Sequence, residues 1–116
     1  MISPPSTVKN VQLWRKQCRK VRALAQRIID GKVGVIEGSI QMGAFQTWLH
    51  AHEEEEFRIF RDVYSASTDL PLGKVRELWT PEALREKDEK VREIEDAYRA
   101  RVIQAAATIK EKYQSE

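Results

Sequence analysis

The stretch HAHEEEE, residues 50–56, holds the residue types in this chain best suited to chemistry. On a helix His50 and Glu54, or His52 and Glu56, would lie one turn apart, a spacing that can put an imidazole and a carboxylate on one metal ion. No HExxH motif accompanies them, and His50 and His52 are the 2 histidines of the chain. A complete shell would have to borrow Glu37 or residues of the last helix. The expectation is therefore no metal and no cofactor, with the acids solvating an exposed turn. A further use is open to four adjacent carboxylates: Glu53, Glu54, Glu55 and Glu56 suit a basic protein partner such as the active groove of a nuclease.

A second cluster is basic. Residues 1–32 carry eight Lys or Arg against one acid, Asp30, whereas residues 33–80 carry eight acids against four bases. Arg15, Arg19 and Arg22 fall on one flank of the first apolar stripe and could sit on phosphates. Nucleic-acid binders usually add a reading element such as a helix-turn-helix or exposed aromatics, and none is visible. The plainest use of the split is pairing of the acidic middle with the basic first helix inside the fold. Catalytic residues are few. Cys18 is spaced as a core residue and Ser39 lies in a helical segment, neither with a histidine near in sequence, so no enzymatic activity is expected.

The elements that must position these groups are helical. At 116 residues, with 41% hydrophobic and 33% charged content, the chain fits one domain of amphipathic helices. After Pro4 and Pro5, Ser6 or Thr7 can cap a helix whose stripe runs Val11, Trp14, Cys18, Val21, Ala25, Ile28 and ends at Gly31. That predicts helix 1 over about 7–30. Ile36, Ile40, Ala44 and Trp48, flanked by Phe45 and Leu49, predict a second helix that continues through Phe57, Phe60 and Tyr64, over about 35–64. Gly38 and Gly43 weaken it and imply close approach of another backbone.

Ser65, Ser67, Thr68, Asp69 and Pro71 then favour turns, and Gly73 a tight bend. Leu70, Leu72, Val75, Leu78 and Trp79 supply apolar weight, so residues 65–80 are expected to be an ordered loop that plugs one end of the bundle. Thr80 as N-cap and Pro81 at the first helical position open helix 3, about 81–114, with Leu84, Val91, Ile94, Tyr98, Val102, Ala105, Ile109 and Tyr113 as its stripe. The stripe is interrupted at REKDEK, the end expected to project or to carry a partner. The fold class is thus all-α, a three-helix antiparallel bundle with an ordered inter-helix loop before a long C-terminal helix.

A single cysteine excludes an intramolecular disulfide and a cysteine-based zinc site. The opening MISPPSTVKN lacks the basic and apolar regions of a signal peptide, and no apolar run approaches the ~18 residues of a spanning helix. A soluble cytoplasmic protein is expected.

Residues 36–88 carry Ile36, Glu37 and Gly38, then Phe57 and Phe60. There follow Ser67, Asp69, Leu70, Pro71, Leu72, Gly73, Arg76, Trp79, Pro81, Glu82, Ala83, Leu84, Lys87 and Asp88. This pattern resembles a small bacterial family of unknown function with an IEG helix and a turn of the form S…D.LPLG..R..W.PEAL..KD; Ala66 stands at a position that is acidic in the pattern. The resemblance implies a bacterial cytoplasmic protein, loosely similar in size and style to the immunity proteins that neutralise toxins. Together these features predict a non-enzymatic protein-binding module, most simply an immunity-type inhibitor using Glu53–Glu56. The alternative is a nucleic-acid-binding accessory protein using Arg15, Arg19 and Arg22. The expected partner is one protein, such as a basic toxin domain, with a homodimer suggested if the Leu70–Trp79 plug is exposed.

Overall fold

The computed structural model describes residues 3–68, 70 and 73–113. Among them there is no strand, and four α-helices stand where three were expected: α1 (Val11–Ile29), α2 (Val35–Trp48), α3 (Arg58–Ala66) and α4 (Pro81–Tyr113). Short 3-10 turns cover Glu55–Phe57 and Gly73–Leu78. No described helix is long and apolar enough to cross a membrane.

Helix α1 begins later than expected because Asn10, rather than Ser6 or Thr7, is its cap, its side chain accepting from the Leu13 N–H at 3.0 Å. The stripe Trp14, Cys18, Val21, Ala25 and Ile28 is buried as its spacing predicts, with Leu24 beside it, but Val11, expected to begin the stripe, is exposed in the first turn of the helix. Gly31, at φ 73°, ends the helix. Its N–H donates to the Ile28 carbonyl at 3.2 Å, and that of Lys32 to the Arg27 carbonyl at 2.8 Å. This pair of reversed bonds is the Schellman termination, which needs a left-handed residue.

The expected single helix over 35–64 is broken, and the break uses the same device. His50 adopts φ 56°, and its N–H donates to the Thr47 carbonyl at 3.1 Å while that of Ala51 donates to Gln46 at 2.9 Å. Histidine is among the residues that tolerate this conformation more readily than most, though less readily than glycine. The chain reverses, buries Ala51 and Phe57, and returns as α3 with Phe60 and Val63 inward. The rings of Phe57 and Phe60 meet edge-on at 6.3 Å.

Helices α1 and α2 are antiparallel, Trp14 lying near Leu49 and Ile28 near Gly38. Helix α1 packs chiefly on α4, also antiparallel, with the Trp14 and Tyr113 rings 6.5 Å apart at one end. At 33 residues α4 is about 50 Å long by its 1.5 Å rise, and it sets the 50 Å long axis of the molecule. Its buried residues are Val102, Ala106, Ile109 and Tyr113, all in the C-terminal half. Leu84, Val91, Ile94 and Tyr98 are only half-buried, because α1 ends before it can cover them.

Leu70 is buried, as the expected plug requires, but Leu78 is 86% exposed and Trp79 is partly exposed, beside the Lys87 ammonium. The expectation that Leu78 and Trp79 face inward is corrected: residues 73–78 form a strap held by charge. Arg76 Nη1 and Nη2 donate to Asp88 Oδ1 and Oδ2 at 2.6 and 3.0 Å, a bidentate pair that fixes the strap to the REKDEK segment. That hydrogen bond holds the Asp88 carboxyl below its ordinary value. Asp69, Pro71 and Leu72 lie outside the described residues, as does the Val75 side chain. Thr80 caps α4 as expected, accepting from the Ala83 N–H at 3.3 Å.

Gly38 has a packing reason, but its close neighbours are the Ile28 and Val33 side chains and not the expected second backbone, and Gly43 has nothing within 4 Å of where a Cβ would sit. A Cβ at Gly38 would meet Ile28 Cγ1 at 2.8 Å, inside the core where Ile28 has little room to yield. Gly38→Ala should therefore lower stability by about 1–3 kcal/mol despite alanine's better helix propensity, as read from urea unfolding midpoints.

Candidate functional site

The reversal at His50 decides where the acidic run goes. Because residues 50–56 are a turn and a 3-10 segment, the one-turn spacing of His50 with Glu54 and of His52 with Glu56 does not place these pairs on a common helical face. The Nδ1 of His50 instead shares a 2.8 Å hydrogen bond with Thr7 Oγ1. Among the described residues no three His, Cys, Asp or Glu side chains converge on a possible ion.

Two of the four glutamates are taken up inside the fold. Lys112 Nζ lies 2.5 Å from Glu54 Oε2 and 2.8 Å from Glu56 Oε1. The Lys112 side chain is 28% exposed and that of Glu56 14%, so this cluster is sheltered and fixes the turn against the C-terminal end of α4. The expected pairing of the acidic run with helix 1 is not what these two acids do: their cation comes from α4. Glu53 and Glu55 remain exposed, Glu55 making only a solvent-bathed 3.4 Å pair with Arg58. From beneath, the buried amide of Gln46 donates to the Ala51 carbonyl at 3.3 Å, and Phe57 anchors the far side in the core. The result is a turn held at three points that presents two carboxylates to solvent.

The basic candidates lie on α1. Arg19 is exposed, while Arg15 and Arg22 are half-buried, the Arg15 guanidinium 5.9 Å from the centre of the Trp14 ring. The three therefore do not form one evenly open stripe. Cys18 is fully buried and Ser39 donates its hydroxyl to the Val35 carbonyl at 2.7 Å, so neither opens to solvent as a nucleophile.

Sequence reasoning missed Lys112, Gln46 and the conformation of His50. Lys112 lies 56 residues from Glu56, and no spacing rule connects them. The signal for the reversal was the absence of apolar partners for a helical stripe between Ala51 and Phe57.

Burial works against the charge of Lys112, but the hydrogen bonds it donates to Glu54 and Glu56 outweigh it and raise its pKa above the ordinary 10.5. The stability that protonation of Lys112 contributes is complete below pH 10.5, as long as the two carboxylates are ionised, and is lost as pH rises through the folded value. Burial also pushes the Tyr113 phenol well above its ordinary 10.0, so the unfolded chain ionises first and gains in the same direction. Stability should hold steady up to about pH 10 and then fall, read as urea midpoints at successive pH values. Separately, His50→Gly should raise stability by about 1 kcal/mol by relieving the left-handed backbone; a lower urea midpoint would show that the Thr7 contact matters more.

No family model matches the chain, and no curated protein or solved structure is significantly similar to it.

Proposed function

We infer that the chain is a non-enzymatic protein-binding module of the immunity type, in which the acidic turn docks on a basic groove of one protein partner. The observation that carries this is the clamp of Lys112 on Glu54 and Glu56. A flexible acidic loop would lose conformational freedom on binding, whereas this one is already ordered when Glu53 and Glu55 meet a partner. Exposed acids around such a turn also attract a basic surface from a distance, speeding encounter more than they tighten the complex. A basic toxin domain, such as a nuclease whose groove binds phosphates, has the matching chemistry.

The test is affinity capture from a lysate of the source organism, with and without added nuclease, followed by binding measurements on the captured protein. A stoichiometric basic protein that survives nuclease is expected. The double variant Glu53→Gln, Glu55→Gln should weaken it about tenfold, at roughly 0.5–1 kcal/mol per charge. Lys112→Met separates rigidity from charge. It makes the turn more acidic yet unclamps it, so weaker binding supports the ordered turn and tighter binding would reduce the interaction to charge alone. Capture that vanishes with nuclease moves the function to nucleic acid and to Arg19 on α1.

A further inference from the structure

No exposed aromatic accompanies the basic residues of α1 in the sequence pattern, yet the fold supplies one. Trp48, in the last turn of α2, is 53% exposed, its ring set edge-on to that of Phe45 with 5.3 Å between centres. It lines a cleft of about 530 Å³ where the end of α2 meets the start of α1. Lys9, Asn10, Leu13, Gln17 and Thr47 line the same cleft, so an aromatic ring is combined there with two amides, a hydroxyl and an ammonium.

The charge beside that cleft is of one sign. Helix α1 holds Arg15, Lys16, Arg19, Lys20, Arg22 and Arg27 with no Asp or Glu, and α2 has no charged residue after Glu37. At about 100° and 1.5 Å per residue, Lys16, Lys20 and Arg27 fall within about 60° of Leu13 around α1, and they run from the cleft along roughly 20 Å of the helix. All three are exposed, as is Arg19 on the next row. Arg27 meets the neutral Gln41 amide at 3.2 Å, and among the described residues no ion pair involves Lys16, Arg19 or Lys20. Like charges one helical turn apart, as Lys16 and Lys20 are, repel, and nothing in the described fold offsets that loss.

We propose that this surface binds single-stranded nucleic acid, its backbone following Lys16, Lys20 and Arg27 along α1 and one base entering the cleft against the Trp48 ring. Phosphates supply the regular succession of anions that a row of cations can use. A base supplies a flat ring to stack on the indole, and polar edges for the Asn10, Gln17 and Thr47 side chains. An acidic peptide would match the cations, but its carboxylates do not come with a flat ring at each step. A duplex keeps its base faces stacked on one another, out of reach of a side-chain ring. A lipid surface would ask α1 for an apolar face, and its stripe from Trp14 to Ile28 is buried in the core.

Few contacts make this a weak and salt-sensitive complex. On a single strand each neutralised phosphate contributes about −0.7 to the slope of log affinity against log salt, so three or four cations give a slope between about −2 and −3. One stacked base adds roughly tenfold, with little preference among the bases, because every base has a flat face. The site is separate from the acidic turn and adds a second activity to the chain.

Fluorescence anisotropy of a labelled oligothymidylate of about 15 nucleotides, titrated with the full chain at low salt, tests this. Micromolar binding with the stated salt slope is expected. The double variant Lys16→Gln, Lys20→Gln should weaken it about tenfold or more and flatten the slope by about 1.4. Trp48→Ala should weaken it about tenfold with the slope unchanged, and Trp48→Tyr, which keeps a ring, should weaken it less. An abasic strand of the same length should bind the wild type as weakly as the oligothymidylate binds Trp48→Ala, a comparison that needs no variant to fold. The Glu53→Gln, Glu55→Gln pair should not weaken oligonucleotide binding, so this surface and the acidic turn can fail separately. No binding at about 100 µM chain overturns the proposal. So does equal binding of the strand with and without bases, indifference to Trp48→Ala, or capture of anionic lipid vesicles where the strand is not bound.

Discussion

The indole N–H of Trp14 is buried, and a buried donor needs an acceptor. It finds the Leu49 carbonyl at 3.1 Å, a group left without a helical partner because α2 has just ended. Losing either side of this bond would strand a polar group at about 1–3 kcal/mol. The same ring meets Tyr113 edge-on, so one side chain fastens the start of α1, the end of α2 and the end of α4. Much else is set by that fastening. Leu49 is locked in place, so the chain must reverse immediately after it, and His50 takes the left-handed conformation that allows this. Lys112, the neighbour of Tyr113, is brought to the height of the turn that follows.

That geometry explains why the acidic run pairs as it does. Four successive glutamates repel one another, and a continued α2 would have offered them Arg58 one turn on but no sheltered cation. In the turn, Glu54 and Glu56 converge on one ammonium at the C-terminal end of α4, where the carbonyl ends of the helix also favour a cation. The basic residues of α1 are spread along its flanks, with Arg27 engaged by Gln41 at 3.2 Å. Contact between oppositely charged segments of sequence is thus decided by which helix ends meet, a property of the fold.

The two helix endings show what the sequence could reveal. Both α1 and α2 finish with the same pair of reversed hydrogen bonds, but one uses Gly31 and the other His50. Glycine advertises a left-handed position and histidine does not, so the first boundary was legible and the second was hidden inside an apparently continuous pattern. The α1 stripe was readable for the same kind of reason, since 3- and 4-residue spacing has a single meaning when both flanks are charged. Trp48 was not: at core spacing it looked buried, yet on a helix with no charged residue after Glu37, spacing cannot say which side faces the core. Leu78 misled similarly, because the strap that carries it is held by Arg76 and Asp88 rather than by apolar contact.

The left-handed residue at position 50 also shapes two surfaces. Had the helix run on to residue 64, Phe60 and Tyr64 would have extended α2 along its own axis, and the acids would have lined its outer side. Reversal at His50 lays α3 back beside α2 and leaves a trough of about 280 Å³ between them, with Gly43 on its wall. The same reversal lifts Glu53 and Glu55 out of the helical register and onto a clamped turn. A neutral helix face and an acidic turn therefore sit on either side of one backbone irregularity.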